Sequence, residues 1–324
     1  MQRKLITKSK VLVFAMFLLA LAGCIPGDDS FVRDPSEFKT GKEGVEVEFV
    51  ENTPPDNMRE NSQFNIALDV INRGAYTAED AYVNLGLEED YMCVRRDEDC
   101  VGNVAKKIEG LVGKTPSTPT GDYETLRFRA ETKSLDAQRT RHPATAILTL
   151  CYEYKTELES QVCINPDTLR SERADAACYE EEKTYSSQGA PIAITKVEAK
   201  TKDMDGEMTR PEIILHIQNL GDGRVVKKSK ASDVCTGESL KRGDRNNVYL
   251  KELHVGNNIY EKDGEENDIK CRTEKVELIN NEGRIACELK EGINKESPAY
   301  EARITAVFEY GYTQSYSRKI EIEK

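Results

Sequence analysis

Beyond residue 44, apolar and polar positions alternate with a period of two through much of the chain. Phe64, Ile66, Leu68 and Val70 recur at every second position, and so do Ala81, Val83, Leu85 and Leu87. That is the pattern of a strand with one buried face. Between the two runs, Asn72-Arg73-Gly74 supplies turn residues that tolerate positive φ. Further strands are predicted over 45–50, 123–130, 146–154 and 161–164. A second set follows residue 188, over 191–197, 213–218, 248–250, 276–279, 284–289, 302–310 and 316–322, with Asn219-Leu220-Gly221-Asp222-Gly223 as another turn. No segment of the mature chain shows convincing helical periodicity. Recurring strands separated by polar loops predict an all-β fold of the sandwich type.

The two sets read as copies of one unit. Leu68-Asp-Val70-Ile-Asn72-Arg-Gly74 aligns with Leu215-His-Ile217-Gln-Asn219-Leu-Gly221. Downstream, Leu148-Thr149 with Tyr152-Glu153-Tyr154 aligns with Ile304-Thr305 and Phe308-Glu309-Tyr310. Agreement in motif and in spacing predicts tandem domains of related fold, at 44–187 and 188–324. The strand ending in Asn-x-Gly resembles the CARDB-like and related Ig-like modules of prokaryotic surface proteins, archaeal ones among them. Val70, Asn72 and Gly74, and Ile217, Asn219 and Gly221, carry that resemblance. It implies two Ig-like β-sandwiches with binding or spacing roles rather than catalysis.

The amino-terminal stretch breaks the pattern. Residues 11–22 form an uncharged apolar run behind Arg3, Lys4, Lys8 and Lys10. A membrane-spanning helix needs about 20 apolar residues, so the run reads as the core of a secretory signal over 1–23. Leu21-Ala22-Gly23-Cys24 resembles the lipobox of prokaryotic lipoproteins. That resemblance implies lipid attachment at Cys24, which becomes the new amino terminus and fastens the chain to the outer face of the cytoplasmic membrane or the cell surface. Pro26, Gly27, Asp28, Asp29 and Ser30 then open a solvated tether over 24–43, because this composition cannot bury apolar area.

Composition sharpens the picture in two ways. Taking four basic residues off with the signal leaves 42 Lys+Arg against 58 Asp+Glu, a net charge of −16. No counterion-releasing basic patch is visible in the sequence, so nucleic acid is not an expected partner. Removing Cys24 from nine cysteines leaves Cys93, Cys100, Cys151, Cys163, Cys178, Cys235, Cys271 and Cys287. An even number in an exported chain predicts disulfides. Cys93 and Cys100 enclose a short charged loop, and a hairpin centred on Glu157 would oppose Cys151 to Cys163. Five cysteines before residue 188 and three after it predict a bridge across the boundary or a free thiol on each side; Cys178 is the candidate to reach Cys235, Cys271 or Cys287.

Chemistry is sparse. His142, His216 and His254 share no metal-ligand spacing. There is no G-x-S-x-G elbow, no GxxxxGK and no GxGxxG. Asp203 and Asp205 before Gly206 are weak calcium candidates without the remaining ligands of a calcium loop. Tyr152, Tyr154, Tyr310, Tyr312 and Tyr316 read as strand residues packed on a sheet. The expected function is therefore a lipid-anchored binding or scaffold protein with a protein or glycan partner and no cofactor. A structural subunit of a surface filament or envelope, and an extracellular hydrolase, are the alternatives.

Overall fold

A computed structural model describes residues 38–167 and 177–324. The strands are β1 (Val45–Phe49), β2 (Asn57–Arg59), β3 (Gln63–Asn72), β4 (Ala78–Leu87), β5 (Met92–Arg96), β6 (Asp99–Val101), β7 (Asn103–Leu111), β8 (Tyr123–Thr132), β9 (Arg141–Ile164) and β10 (Lys183–Thr184). The second half adds β11 (Ile192–Asp203), β12 (Met208–Asn219), β13 (Arg224–Val226), a short helix α1 (Ala231–Thr236), β14 (Asn247–Val255), β15 (Asn258–Glu261), β16 (Ile269–Cys271), β17 (Lys275–Glu277), β18 (Glu282–Leu289), β19 (Ile293–Asn294) and β20 (Tyr300–Glu323). The fold is all-β, as the alternation predicts. At six residues, α1 is too short to leave a helical period in the sequence.

Three sheets build it. A five-stranded sheet runs β1-β3-β8-β5-β6, a six-stranded one is built on β10-β11-β12-β18-β16, and a nine-stranded one carries the path β15-β14-β20-β9-β4-β7. The boundary expected at 187/188 does not separate the last of these. β9 pairs antiparallel with β20 from Arg141↔Glu323 to Tyr300↔Ile164, so strands from both halves share one central sheet. The described residues accordingly belong to one compact unit. The chain is buried where the boundary was expected: Gln188 is 4% exposed, its Oε1 accepts from Ile194 N at 2.8 Å and its Nε2 donates to Ile194 O at 3.2 Å. Residues 38–43, expected in the tether, also belong to this body. Phe38 is buried, and Lys39 Nζ reaches Glu157 and Glu159 at 3.1 Å each.

The length of β9 explains two departures from the expected strands. Ala144, Ala146, Leu148, Leu150, Tyr152, Tyr154, Thr156 and Leu158 alternate without a break, and all are buried. The Lys155–Ser160 stretch reads as a loop by composition, yet its inward positions are Thr156 and Leu158, so the period continues through it. Cys151 and Cys163 therefore lie on one strand about 40 Å apart and cannot pair. Cys151 bonds Cys235, and Cys163 bonds Cys178. Of the two outcomes that parity allowed, a bridge across residue 188 is the one found, and it is Cys151–Cys235 and not one made by Cys178. Cys93–Cys100 and Cys271–Cys287 complete the four.

One face of the central sheet is covered by the two smaller sheets. Tyr154 and Tyr310, and Tyr152 and Tyr312, are direct cross-strand partners, and all four side chains point into the core. Their rings meet at centroid distances of 5.4 to 6.4 Å with steep interplanar angles, which suits the aromatic quadrupole. The opposite face carries Thr149, Glu153 and Lys155 and is crossed by α1, which Cys235 ties to β9.

The Asn-x-Gly motifs hold this centre together. Asn72 is fully buried; its Nδ2 donates to Tyr76 O (2.7 Å) and Leu111 O (2.9 Å), and its Oδ1 accepts from Gly74 N and the Tyr154 hydroxyl, both at 3.1 Å. Asn219 repeats the arrangement with Gly223 O (3.0 Å), Gly221 N (3.2 Å) and the Tyr312 hydroxyl (3.0 Å). Tyr312 is therefore the counterpart of Tyr154, and the downstream repeat alignment shifts by two residues from the sequence expectation. A shift of two keeps every side chain on its face, so the alternation gave no warning. Gly74 is also needed for a different reason from the one its turn suggests. Its φ is not positive; a Cβ there would run into the Tyr154 hydroxyl and sit 2.8 Å from Gly189 O.

Candidate ligand-binding cleft

A cleft of about 680 Å³ opens at the seam between the first small sheet and the central sheet. Its walls come from β4, β5, β7, β8 and the end of α1, and it is lined by Arg95, Arg96, Lys106, Arg127 and Arg129 with no carboxylate. Local alternation explains the convergence. In Leu126-Arg127-Phe128-Arg129-Ala130 of β8, the apolar residues face the core and the two arginines face out. β5 lies beside β8, pairing Cys93 with Glu131 and Val94 with Ala130, which brings Arg95 and Arg96 to the same place. Lys106 crosses from β7: its Nζ donates to Arg127 O at 2.6 Å and stands 4.5 Å from the centroid of the buried Phe128 ring.

Arg95 has one partner, Glu131, at 3.7 Å. Among the described residues, Arg96, Lys106, Arg127 and Arg129 have no carboxylate within ion-pair distance. A second cleft, of about 400 Å³ on the open face of the central sheet, is the contrast. There Lys228 pairs with Glu309 at 2.9 Å, Lys251 with Glu309 at 3.6 Å and Lys155 with Glu157 at 3.6 Å. That cleft neutralises itself. The first concentrates positive charge on a chain whose total is −12. Sequence reasoning found no basic patch because these five side chains come from three strands up to 34 positions apart and are diluted by acidic neighbours. The one available signal was the outward Arg127/Arg129 pair inside a predicted strand, and β7, with its Lys-rich, half-exposed pattern, was not predicted at all.

The expected site residues fall elsewhere. Cys24 lies outside the described residues. Asp203 and Asp205 sit in the β11–β12 turn region, where Asp203 Oδ1 is 3.3 Å from Lys295 Nζ. Among the described residues, the one place where three His, Cys, Asp or Glu ligand atoms gather is Cys93, Cys100 and Glu131, and there the two sulfurs are bonded to each other. His142 is stacked on Tyr91 at 3.6 Å and shares a hydrogen bond with Glu88 at 3.1 Å. His216 Nε2 lies 2.6 Å from Glu198 Oε1. Among the described residues, no helix is long and apolar enough to cross a membrane.

Among the described residues, Glu198 is the most strongly shifted carboxyl. Hydrogen bonds from Lys196 (2.7 Å) and from Lys200, with His216 adding a third, lower its pKa to about 2. A carboxyl depressed in the folded state adds stability that is complete above the unfolded pKa and is lost as pH falls through the folded one. Glu198→Gln is therefore expected to be less stable than the parent at neutral pH, with the gap closing between about pH 4.5 and 2. Urea unfolding at a series of pH values checks this, and a gap that does not change with pH contradicts it.

No family model matches the chain, and no curated protein matches it. Among solved structures, the secreted serine protease VesC from Vibrio cholerae aligns at 8% identity over 83% of this chain, with a TM-score of 0.20. This chain spans 51% of the length of VesC. The C-terminal domain of the AgI/II polypeptide BspA from Streptococcus agalactiae aligns at 10% identity over 86% of this chain and 98% of its own, with a TM-score of 0.16. Scores this low carry no argument about fold or activity.

Proposed function

We propose that the protein is an exported, lipid-anchored binding protein whose two fused β repeats form a rigid body that presents the basic cleft to an anionic ligand. The observation that carries this reading is the cleft lining, five cations and no carboxylate, on a strongly acidic chain. Like charges brought together without partners repel one another, and a bound anion relieves that repulsion. Four disulfides suit an oxidising, extracellular setting. The signal and lipobox over residues 1–24 supply the route and the anchor.

Titration with inorganic polyphosphate tests the cleft. Arg127→Glu with Arg129→Glu, both exposed, is expected to weaken binding at least about tenfold, a loss of about 1.4 kcal/mol, and the parent affinity should fall with added salt. Equal affinity in parent and variant overturns the reading. For the anchor, Cys24→Ser is expected to release the protein into the medium or leave the precursor uncleaved. Normal processing with unchanged membrane retention contradicts it.

A further inference from the structure

The cleft contains an open strand edge as well as charge. On its β3 side, β8 is paired from Tyr123 to Glu131, but on its other side β5 covers only Ala130, Glu131 and Thr132. Which backbone groups face the gap follows from the ladder. Thr132 N donates to Ser62 O toward β3, at 2.9 Å, whereas Lys133 N donates to Tyr91 O on the β5 side, at 2.8 Å. Odd-numbered residues therefore turn their N–H and C=O groups toward the gap; the last β5 pair, Val94 with Ala130, occupies the Arg129 carbonyl, and Thr125 and Arg127 are left without a strand partner there. The Arg127 carbonyl is met only by the Lys106 ammonium, at 2.6 Å. Facing this gap, β7 pairs with β4 on one side, and its own outer edge is likewise unpaired.

We infer that the cleft takes an extended acidic peptide, which adds to the free edge of β8 as a further strand, its carboxylates against Arg127 and Arg129. This rests on the anion-binding reading above and specifies the ligand. Main-chain hydrogen bonds supply register, and alternate side chains supply specificity. A strand beside β8 places every second side chain on the outer face, beside Arg127 and Arg129, and the ones between toward the seam at Phe128 and Val94. The geometry thus selects acidic residues at alternate positions with apolar ones between them. The same cations repel a second basic edge, so another copy of β8 is excluded while an acidic strand is admitted. The free stretch from Tyr123 to Phe128 spans roughly 17 Å, enough for about five residues.

The probe is a synthetic peptide of about eight residues with Glu and Val in alternation, compared with two others. One has the same composition with its Glu residues contiguous; the other is the alternating peptide with alternate backbone amides N-methylated. The alternating peptide is expected to bind the full soluble chain at least about tenfold more tightly than either. Thr125→Pro, which removes one gap-facing N–H at an edge position, should weaken the peptide while leaving inorganic polyphosphate binding unchanged. If all three peptides bind alike, or Thr125→Pro leaves the peptide affinity unaltered, strand addition is overturned while the anion site stands. If neither peptide nor polyphosphate binds, the cleft reading itself fails. Tight polyphosphate binding with no peptide binding assigns the site to a non-peptide polyanion and overturns the inference.

Discussion

Removal of the Cys151–Cys235 bridge, by Cys151→Ser with Cys235→Ser, is expected to destabilise the fold by about 4 to 5 kcal/mol. The bond closes a loop of 84 residues, the longest of the four, and restricts the unfolded chain the most. The next longest separations, 16 and 15 residues for Cys271–Cys287 and Cys163–Cys178, give about 3 kcal/mol each. The native state contributes as well. Cys235 is fully buried, its carbonyl accepts from Asn84 Nδ2, and its helix covers part of the open face of the central sheet. Urea unfolding should show a lower midpoint for the double variant than for either shorter-loop double variant. A loss no larger than theirs contradicts the assignment of this bridge as the principal clamp between the two repeats.

Asn72→Ala is the second large effect, at about 3 to 5 kcal/mol. It leaves the carbonyls of Tyr76 and Leu111, the amide of Gly74 and the hydroxyl of Tyr154 without their partner in a site closed to water. Asn219→Ala should cost less, because Asn219 makes one fewer of these bonds and is 7% exposed. Tyr154→Phe separates the contributions: it keeps the ring but removes the bond to Asn72 and the one accepted from Tyr76 N at 3.2 Å, so a loss of about 1 to 2 kcal/mol is expected. Thermal or urea unfolding of the three variants gives the order Asn72→Ala, Asn219→Ala, Tyr154→Phe from largest to smallest. A reversed order for the two Asn variants contradicts this account.

These two sites also show what the sequence made legible. Alternation at Phe64–Val70 and Ala81–Leu87 located strands because each has one wet and one dry face, which is the property periodicity reports. The Asn-x-Gly repeat was legible as a motif because both copies bury the same amide beneath a tyrosine. Its two-residue offset at the tyrosines was not, since a shift of two conserves the face. The continuity of β9 was hidden by Lys155-Thr-Glu-Leu-Glu-Ser160, whose polar residues point outward while Thr156 and Leu158 point in. Thr156 is buried only because its hydroxyl donates to Ile192 O at 2.6 Å and meets Tyr310 at 2.9 Å, partners contributed by the other repeat. The cleft was the least legible feature. Its charge arises from strands that pairing brings together, and pairing between distant strands has no local signature.

Because β9 and β20 form a single ladder along their whole lengths, neither half has a complete core of its own. During synthesis, which runs from the amino terminus, the inner edge of β9 has nothing to close it until residues 300–323 arrive. Tyr152 and Tyr154 meet Tyr312 and Tyr310 only when that last strand is in place, so a chain cut short by a few dozen residues is expected to leave the inner edge of β9 open.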